Sequence, residues 1–290
     1  MSSVLFDEPG PRARRRTRIA TGVAAVVVLG LVALAVQRFA STGQFDAELW
    51  APLLDPRTEE FAQVWAILGA GLGTTLRAFA LAASASLVLG IVVGAARVSL
   101  GRTARLPLVG VVELFRGLPV VVTIFLAAEV LRLLDSGTSS YWALVAGLTA
   151  YNSVIIAEVV RAGVLSLPKG QAEAGLAIGL TPAQVMRSVQ LPQALRTMLP
   201  ALISQLVVIL KDTALATVVF NDLQDLLYAG DRIRISLDNS LQTLLVVALV
   251  YIALCVVLDR AAVWTERRLS RSRPTAAPAV APAEEAVTRV

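Results

Sequence analysis

The sequence contains no histidine and one cysteine, Cys255. The first absence removes imidazole acid–base chemistry and His-ligated metal sites, and the second removes any intramolecular disulfide. No G-x-x-x-x-G-K-[ST] run occurs, so the chain has no phosphate loop of that type. Charge is scarce too: 16% of the 290 residues are charged and 56% are hydrophobic, with a mean hydropathy of +0.72. Soluble domains carry about a quarter charged residues, so this composition reads as an integral membrane protein surrounded by lipid. The net charge of +5 does not point to nucleic acid, because the basic residues flank apolar runs, where they report topology.

Arg12, Arg14, Arg15, Arg16 and Arg18 precede the uncharged run Ile19–Val36. A run of about eighteen apolar residues is enough to span a bilayer, and basic residues beside it stay in the cytoplasm. A cleaved signal peptide is the competing reading. The run is long for one and no small-x-small site follows Val36, so residues 1–18 read as a basic cytoplasmic segment and 19–36 as a first transmembrane helix. Residues 37–63 are acidic and contain proline, Phe45 and Trp50, which suits an extracytoplasmic loop with a short surface helix. Residues 64–265 read as the core, with spans at Val64–Ala96, Leu106–Leu134, Tyr141–Ala157, Thr197–Leu210 and Asn239–Leu258. The Ala/Pro-rich tail 274–290 reads as disordered.

Basic residues support this topology. Of the 26, five precede the first span, three follow the second, four surround the loop after the fourth and six follow the sixth, all in the proposed inner segments. Six spans place both termini in the cytoplasm of a multi-pass plasma-membrane protein. The expected fold class is therefore an all-α transmembrane bundle. Gly69, Gly71 and Gly73, then Ala83, Ser84, Ser86, Gly90 and Gly94, give the second span small residues at which helices can approach closely in lipid.

The most informative stretch is Ala157–Pro192, which lies between apolar segments yet carries Glu158, Arg161, Lys169, Glu173 and Arg187. Gly179–Pro182 reads as a helix stop and restart, with Thr181 as N-cap and Pro182 at the first helical position. Pro168 and Gly170 bracket the opening of a short amphipathic helix, Gln171–Ile178. A short helix held between proline-marked bends on the water side is suited to being gripped by another molecule.

Glu173-Ala174-Gly175, Gly179, Val189, Leu191 and Pro192 resemble the EAA loop of ABC importer permeases, with Gly175 for the third Ala and Val189 for Ile. More of the chain is similar to the polar amino acid branch of that family. Thr75-Leu76 opens the second span as that branch does. Glu113, Arg116, Gly117 and Pro119 match its E-x-x-R-G-T-P segment, with Leu118 replacing Thr. Ala157-Glu158, Arg161, Gly163, Ser166, Pro168 and Gly170-Gln171 continue the likeness, as do Leu191–Ala194, Arg196, Pro200 and Leu210-Lys211-Asp212-Thr213.

This resemblance implies a type I importer permease, with a five-helix core and one extra N-terminal helix, about six spans in all. It implies a coupling loop at 164–192 in which Gln171, Ala172, Glu173, Ala174, Gly175 and Gly179 contact the ATPase. Glu173 is the charged contact there, and Gly179 permits close approach. The implied partners are a cytoplasmic ABC ATPase dimer, a second permease subunit, identical or related, and an extracytoplasmic solute-binding protein docking on outer loops that include Asn221–Asp238. ATP-Mg is used by the partner ATPase. The chain itself is expected to be neither an enzyme nor a holder of any cofactor or metal. The implied substrate is glutamate or another polar amino acid.

Charges and polar groups within the spans are the candidates for a translocation path. Glu113 and Arg116 stand three apart on one helical face and can neutralise each other; they read as a structural ion pair or as a substrate contact. Arg77, near the outer end of the second span, either snorkels to the interface or pairs with a substrate carboxylate. Lys211 and Asp212 read as an interfacial pair or a gate contact. Asn152, Ser153, Glu158, Arg161, Ser204 and Gln205 complete the set, and its amides and hydroxyls serve equally well as helix–helix hydrogen bonds. Two other function classes compete with this one. An ion-coupled carrier remains the alternative, although no internal repeat supports it. A membrane-embedded enzyme is opposed by the lack of any nucleophile–base constellation.

Overall fold

The computed structural model describes residues 10–134, 137 and 139–270, with the side chains of 266–270 excepted. The expected basic segment 1–18 lies partly outside these residues, and the tail 274–290 wholly so. Every regular element among the described residues is helical. The α-helices are α1 (Pro11–Ser41), α2 (Ala47–Leu54), α3 (Glu59–Ser99), α4 (Arg102–Gly117), α5 (Val120–Leu133), α6 (Ser140–Leu165), α7 (Lys169–Ala177), α8 (Pro182–Val185), α9 (Leu191–Asp212), α10 (Ala216–Val219), α11 (Leu226–Ser236) and α12 (Ser240–Ser270). Helices satisfy every backbone group internally, which is the requirement hydrocarbon imposes.

Five helical segments are long and apolar enough to cross a membrane: Pro11–Ser41, Glu59–Ser99, Ser140–Leu165, Pro182–Val219 and Ser240–Thr265. A sixth arises if α4 and α5 are taken together, but these two helices are bent by 113°. The span expected at Leu106–Leu134, with a break or kink at Gly117 and Pro119, is thus two helices meeting at an elbow. The elbow has a local cause: Leu118 is extended, and Pro119 follows as the N-cap of α5. Proline cannot continue α4, and it holds the residue before it out of the helical region.

The fifth span also differs from expectation. Instead of Thr197–Leu210 alone, the helix restarts at Pro182 and runs to Val219, through a π-turn at Met186–Gln190 and a 3₁₀ turn at Thr213–Leu215. Pro192 explains the π-turn, since a widened turn accommodates a ring that would clash with the carbonyl one turn back in an α-helix.

The chain divides into two compact units. The smaller comprises Met1–Gly69 and Ala229–Val247. Within it α1 buries no residue, while α2 is fastened by side chains: Trp65 Nε1 donates to Leu53 O (3.1 Å) and Asn239 Nδ2 to Leu49 O (3.3 Å). Gln242, fully buried, donates to Gln44 O at 2.6 Å.

The larger unit, Ala70–Tyr228 with Ala248–Val290, holds the main core. Ile124 of α5, Leu144 and Leu148 of α6 and Ile209 of α9 are buried together with Ala78 and Ala82 of α3. In lipid the hydrophobic effect does not drive such contacts, so fit must. A Cβ on Gly147 would lie 2.6 Å from the Ile124 Cα, and one on Gly94 would lie 2.7 Å from the Ala157 carbonyl. The small residues expected to permit close packing do so at Gly90 and Gly94, against α6, but not at Gly69, which has open space.

Candidate functional site

The stretch that follows α6 is built from strong local signals. α6 ends at Leu165, and Ser166–Pro168 turn the chain into α7, where Gln171, Ala172, Glu173, Ala174 and Gly175 all lie. Gly179 has φ +87°, in the left-handed region that glycine tolerates, and its amide closes the helix end by bonding Leu176 O at 3.0 Å. Nothing lies within 4 Å of a Cβ built there, so within this chain the constraint on Gly179 is conformational and not one of close approach. The close approach falls at Gly175, where an added Cβ would sit 2.9 Å from Val185 Cγ2. That contact explains glycine at this position.

Thr181 and Gln184 form a capping box. Gln184 N donates to Thr181 Oγ1 (3.3 Å) and Thr181 N donates to Gln184 Oε1 (2.8 Å), with Pro182 at the first helical position. Gln193 Nε2 donates to Val189 O (2.8 Å) and reaches Gln171 Oε1 at 3.4 Å, so the start of α7 is also tied to α9. α7 is thus fixed at both ends and buries only Gly175, while Glu173, Leu176 (49% exposed) and Ile178 (79%) face outward. Its bounds, Lys169–Ala177, are close to those expected.

Among the pathway candidates, Glu113, Arg116, Glu158 and Arg161 come together, and a fifth residue unites them. Arg97, in the last turns of α3, is buried between two carboxylates. Its Nη1 bonds Glu158 Oε1 and its Nη2 lies 3.5 Å from Glu113 Oε1. Arg116 Nη2 is 3.3 Å from Glu113 Oε2, which forms the expected i,i+3 pair, and its Nη1 is 4.0 Å from Glu158 Oε2. Arg161 grips the same Oε2 through Nε (3.0 Å) and Nη2 (2.9 Å). Three cations and two anions from α3, α4 and α6 thus form one network. Arg97 was missed as a site residue because its place at the end of an apolar run reads as an ordinary topological flank; its partners lie 16 and 61 residues away.

The polar residues of α6 and α9 divide. Asn152, fully buried, donates to Leu148 O (2.9 Å) and accepts from Gln205 Nε2 (2.6 Å), so this pair joins two helices. Ser153 Oγ bonds Ala150 O of its own helix at 3.0 Å. Ser204 is exposed.

Lys211 is exposed as well, and among the described residues it forms no ion pair with Asp212. Neighbours in a helix point about 100° apart, so Lys211 and Asp212 attract each other through space and not in a salt bridge. Arg77 stands apart from the network. Its Nε folds back on Gly73 O (3.0 Å), and no carboxylate among the described residues pairs with it. Thr74, Leu81, Tyr141 and Trp142 line the open cleft beside it.

Another feature missed from the sequence is Asp225, which is 1% exposed and lies outside the membrane-spanning segments. Its Oδ1 accepts from Thr217 Oγ1 (2.7 Å) and from the amide of Tyr228 (3.0 Å), while its Oδ2 is buried with no hydrogen-bond partner among the described residues. Burial raises its pKa, against these hydrogen bonds, which lower it.

Comparison with known proteins accounts for this architecture. Residues 86–271 match the family described as binding-protein-dependent transport system inner membrane component. The glutamate transport system permease protein GluD of Corynebacterium glutamicum is 36% identical over 235 residues, covering 80% of this chain and 83% of that one. The glutamine transport system permease protein GlnP of Escherichia coli is 32% identical over 215 residues, 72% and 97% of the two chains. The crystal structure of an amino acid ABC transporter with histidines superposes with a TM-score of 0.64 at 27% identity, covering 72% of this chain and 96% of that one. With the family matched along most of its helices, this chain belongs to the binding-protein-dependent transport system inner membrane components, the permease subunits of ABC importers.

Proposed function

We propose that this multi-pass chain is the membrane-spanning permease subunit of an ATP-driven amino-acid importer, with α7 as the lever that a cytoplasmic ATPase subunit pulls. The observation that carries the lever is its exposure: Glu173 and Leu176 of α7, with Ile178 just after it, are open to a partner, yet Gln193 of α9 ties its start and Gly175 packs its end against Val185. A floppy loop would absorb a pull. A helix closed by a left-handed glycine, restarted by a capping box and tied to α9 through Gln193 passes the pull to α6 and α9. A zwitterionic substrate cannot cross hydrocarbon unaided, so a polar path has to open alternately to each side.

On this reading the loops beside α7 and both termini are cytoplasmic, a second permease chain completes the path, and a solute-binding protein delivers substrate from outside. ATP-Mg is bound and hydrolysed by the ATPase. The relatives GluD and GlnP transport glutamate and glutamine by name, which supports a polar amino acid, glutamate first, as the substrate here. An ion-coupled carrier is not favoured, because the relatives are ABC permeases.

The test is Glu173→Lys. The variant should insert normally, fail to retain the ATPase through purification from solubilised membranes, and lose uptake. Wild-type recovery of the ATPase together with wild-type uptake would remove α7 from the coupling role.

A further inference from the structure

We propose that Arg97 is a positioning residue for transport: it locks α3, α4 and α6 into one body, so that a pull on α7 reaches the elbow between α4 and α5. This rests on the reading of α7 as the lever. Glu158 lies two turns before the end of α6, and only Ser166–Pro168 separate that helix from α7, so any rotation of the lever moves the Glu158 carboxylate. That carboxylate is held by Arg97 of α3 and Arg161 of α6, with Arg116 of α4 at 4.0 Å. Arg97 in turn reaches Glu113 of α4, one turn before Arg116, and the 113° bend to α5 begins directly after that residue.

Apolar contacts between helices in lipid slide at little cost, whereas a buried charge cannot leave its partners without being stranded in a medium that solvates it poorly. Arg97 is the one member of the network whose side chain is almost wholly enclosed, at 8% exposure, and its Nε has no partner of its own. Its two carboxylate contacts, to different helices, are therefore what holds it in place. Arg116 and Arg161 are half-exposed and can exchange their carboxylates for water.

The experiment uses the full permease–ATPase complex in proteoliposomes and reads amino-acid uptake per ATP hydrolysed. Arg97→Gln should keep ATPase recruitment and ATP turnover while uptake per ATP falls at least about fivefold, the lower end of energetic coupling between distant sites. Arg97→Lys, which keeps the charge but reaches fewer acceptors, should recover part of the loss. Because Arg97→Gln takes one of its cations from the mostly buried Glu158 and leaves Arg161 to hold it, it can lower the yield of complex; Glu113→Gln alters a half-exposed partner and should lower the same ratio without that risk. An unchanged uptake-to-ATP ratio in Glu113→Gln, or in assembled Arg97→Gln, overturns the proposal. The α7 reading fails differently, through Glu173→Lys keeping its ATPase.

Discussion

At the scale of single residues, the polar contacts join two kinds of neighbour. Thr181 with Gln184, and Glu113 with Arg116, lie three positions apart, and helical geometry alone brings such pairs together. Arg97 meets Glu158, and Thr217 meets Asp225, through tertiary packing and loop geometry. Asp225 yields a testable consequence. Burial raises the pKa of its carboxyl, so the folded protein holds that proton to higher pH than the unfolded chain does. Between the ordinary value near 3.8 and the raised one, the native state binds more protons. The stability this group contributes is therefore complete below the ordinary value and is lost as pH rises through the folded one. Asp225→Asn should flatten that decline in thermal melts of the detergent-solubilised protein recorded from about pH 4 upward. The same slope in both proteins would show that Asp225 does not titrate in that window.

At the scale of elements, helix type and the place of each span followed from apolar runs and proline punctuation, while the helices run well past most of the expected ends; the break at Gly117–Pro119 was visible as a kink. Its 113° angle was not, because the angle depends on how α5 lies against α6, with Ile124 seated over Gly147. Nor was the joining of 182–219 into one span, since Pro192 reads as a terminator until a π-turn is seen to accommodate it. Gly147 gives the sharpest check of the α5–α6 contact. Gly147→Ala places a methyl against the Ile124 backbone, which cannot rotate away as a side chain can. The variant should lose about 1–3 kcal/mol, seen as a lower melting temperature and poorer recovery from detergent. Gly110→Ala, with nothing within 4 Å of the new methyl, is the matched control and should be neutral or gain up to about 1 kcal/mol from helix propensity. Equal effects of the two substitutions would mean that α5 does not pack on α6 through this glycine.

At the scale of the whole molecule, the fold class and family could be read from the chain because the matching motifs are spread from the second span into the fifth. What the first helix does could not, for none of its residues is buried, so its sequence says only that it is long and apolar enough to cross lipid. The energy source is the remaining question at this scale. The chain carries no phosphate loop, and two of its acids in the helices, Glu113 and Glu158, are engaged by arginines, which leaves those two poorly suited to binding a coupling ion. On the proposed reading work enters from a partner ATPase, and among the described residues α7 is a short helix whose exposed face suits that entry. Membrane vesicles holding the complex with its binding protein should therefore accumulate labelled glutamate or another polar amino acid when loaded with ATP. Vanadate, which arrests ABC ATPases, should abolish that uptake, while ionophores that collapse proton and sodium gradients should leave it intact. Uptake that survived vanadate but collapsed with the ionophores would instead place the driving force in an ion gradient and leave α7 without a motor to follow.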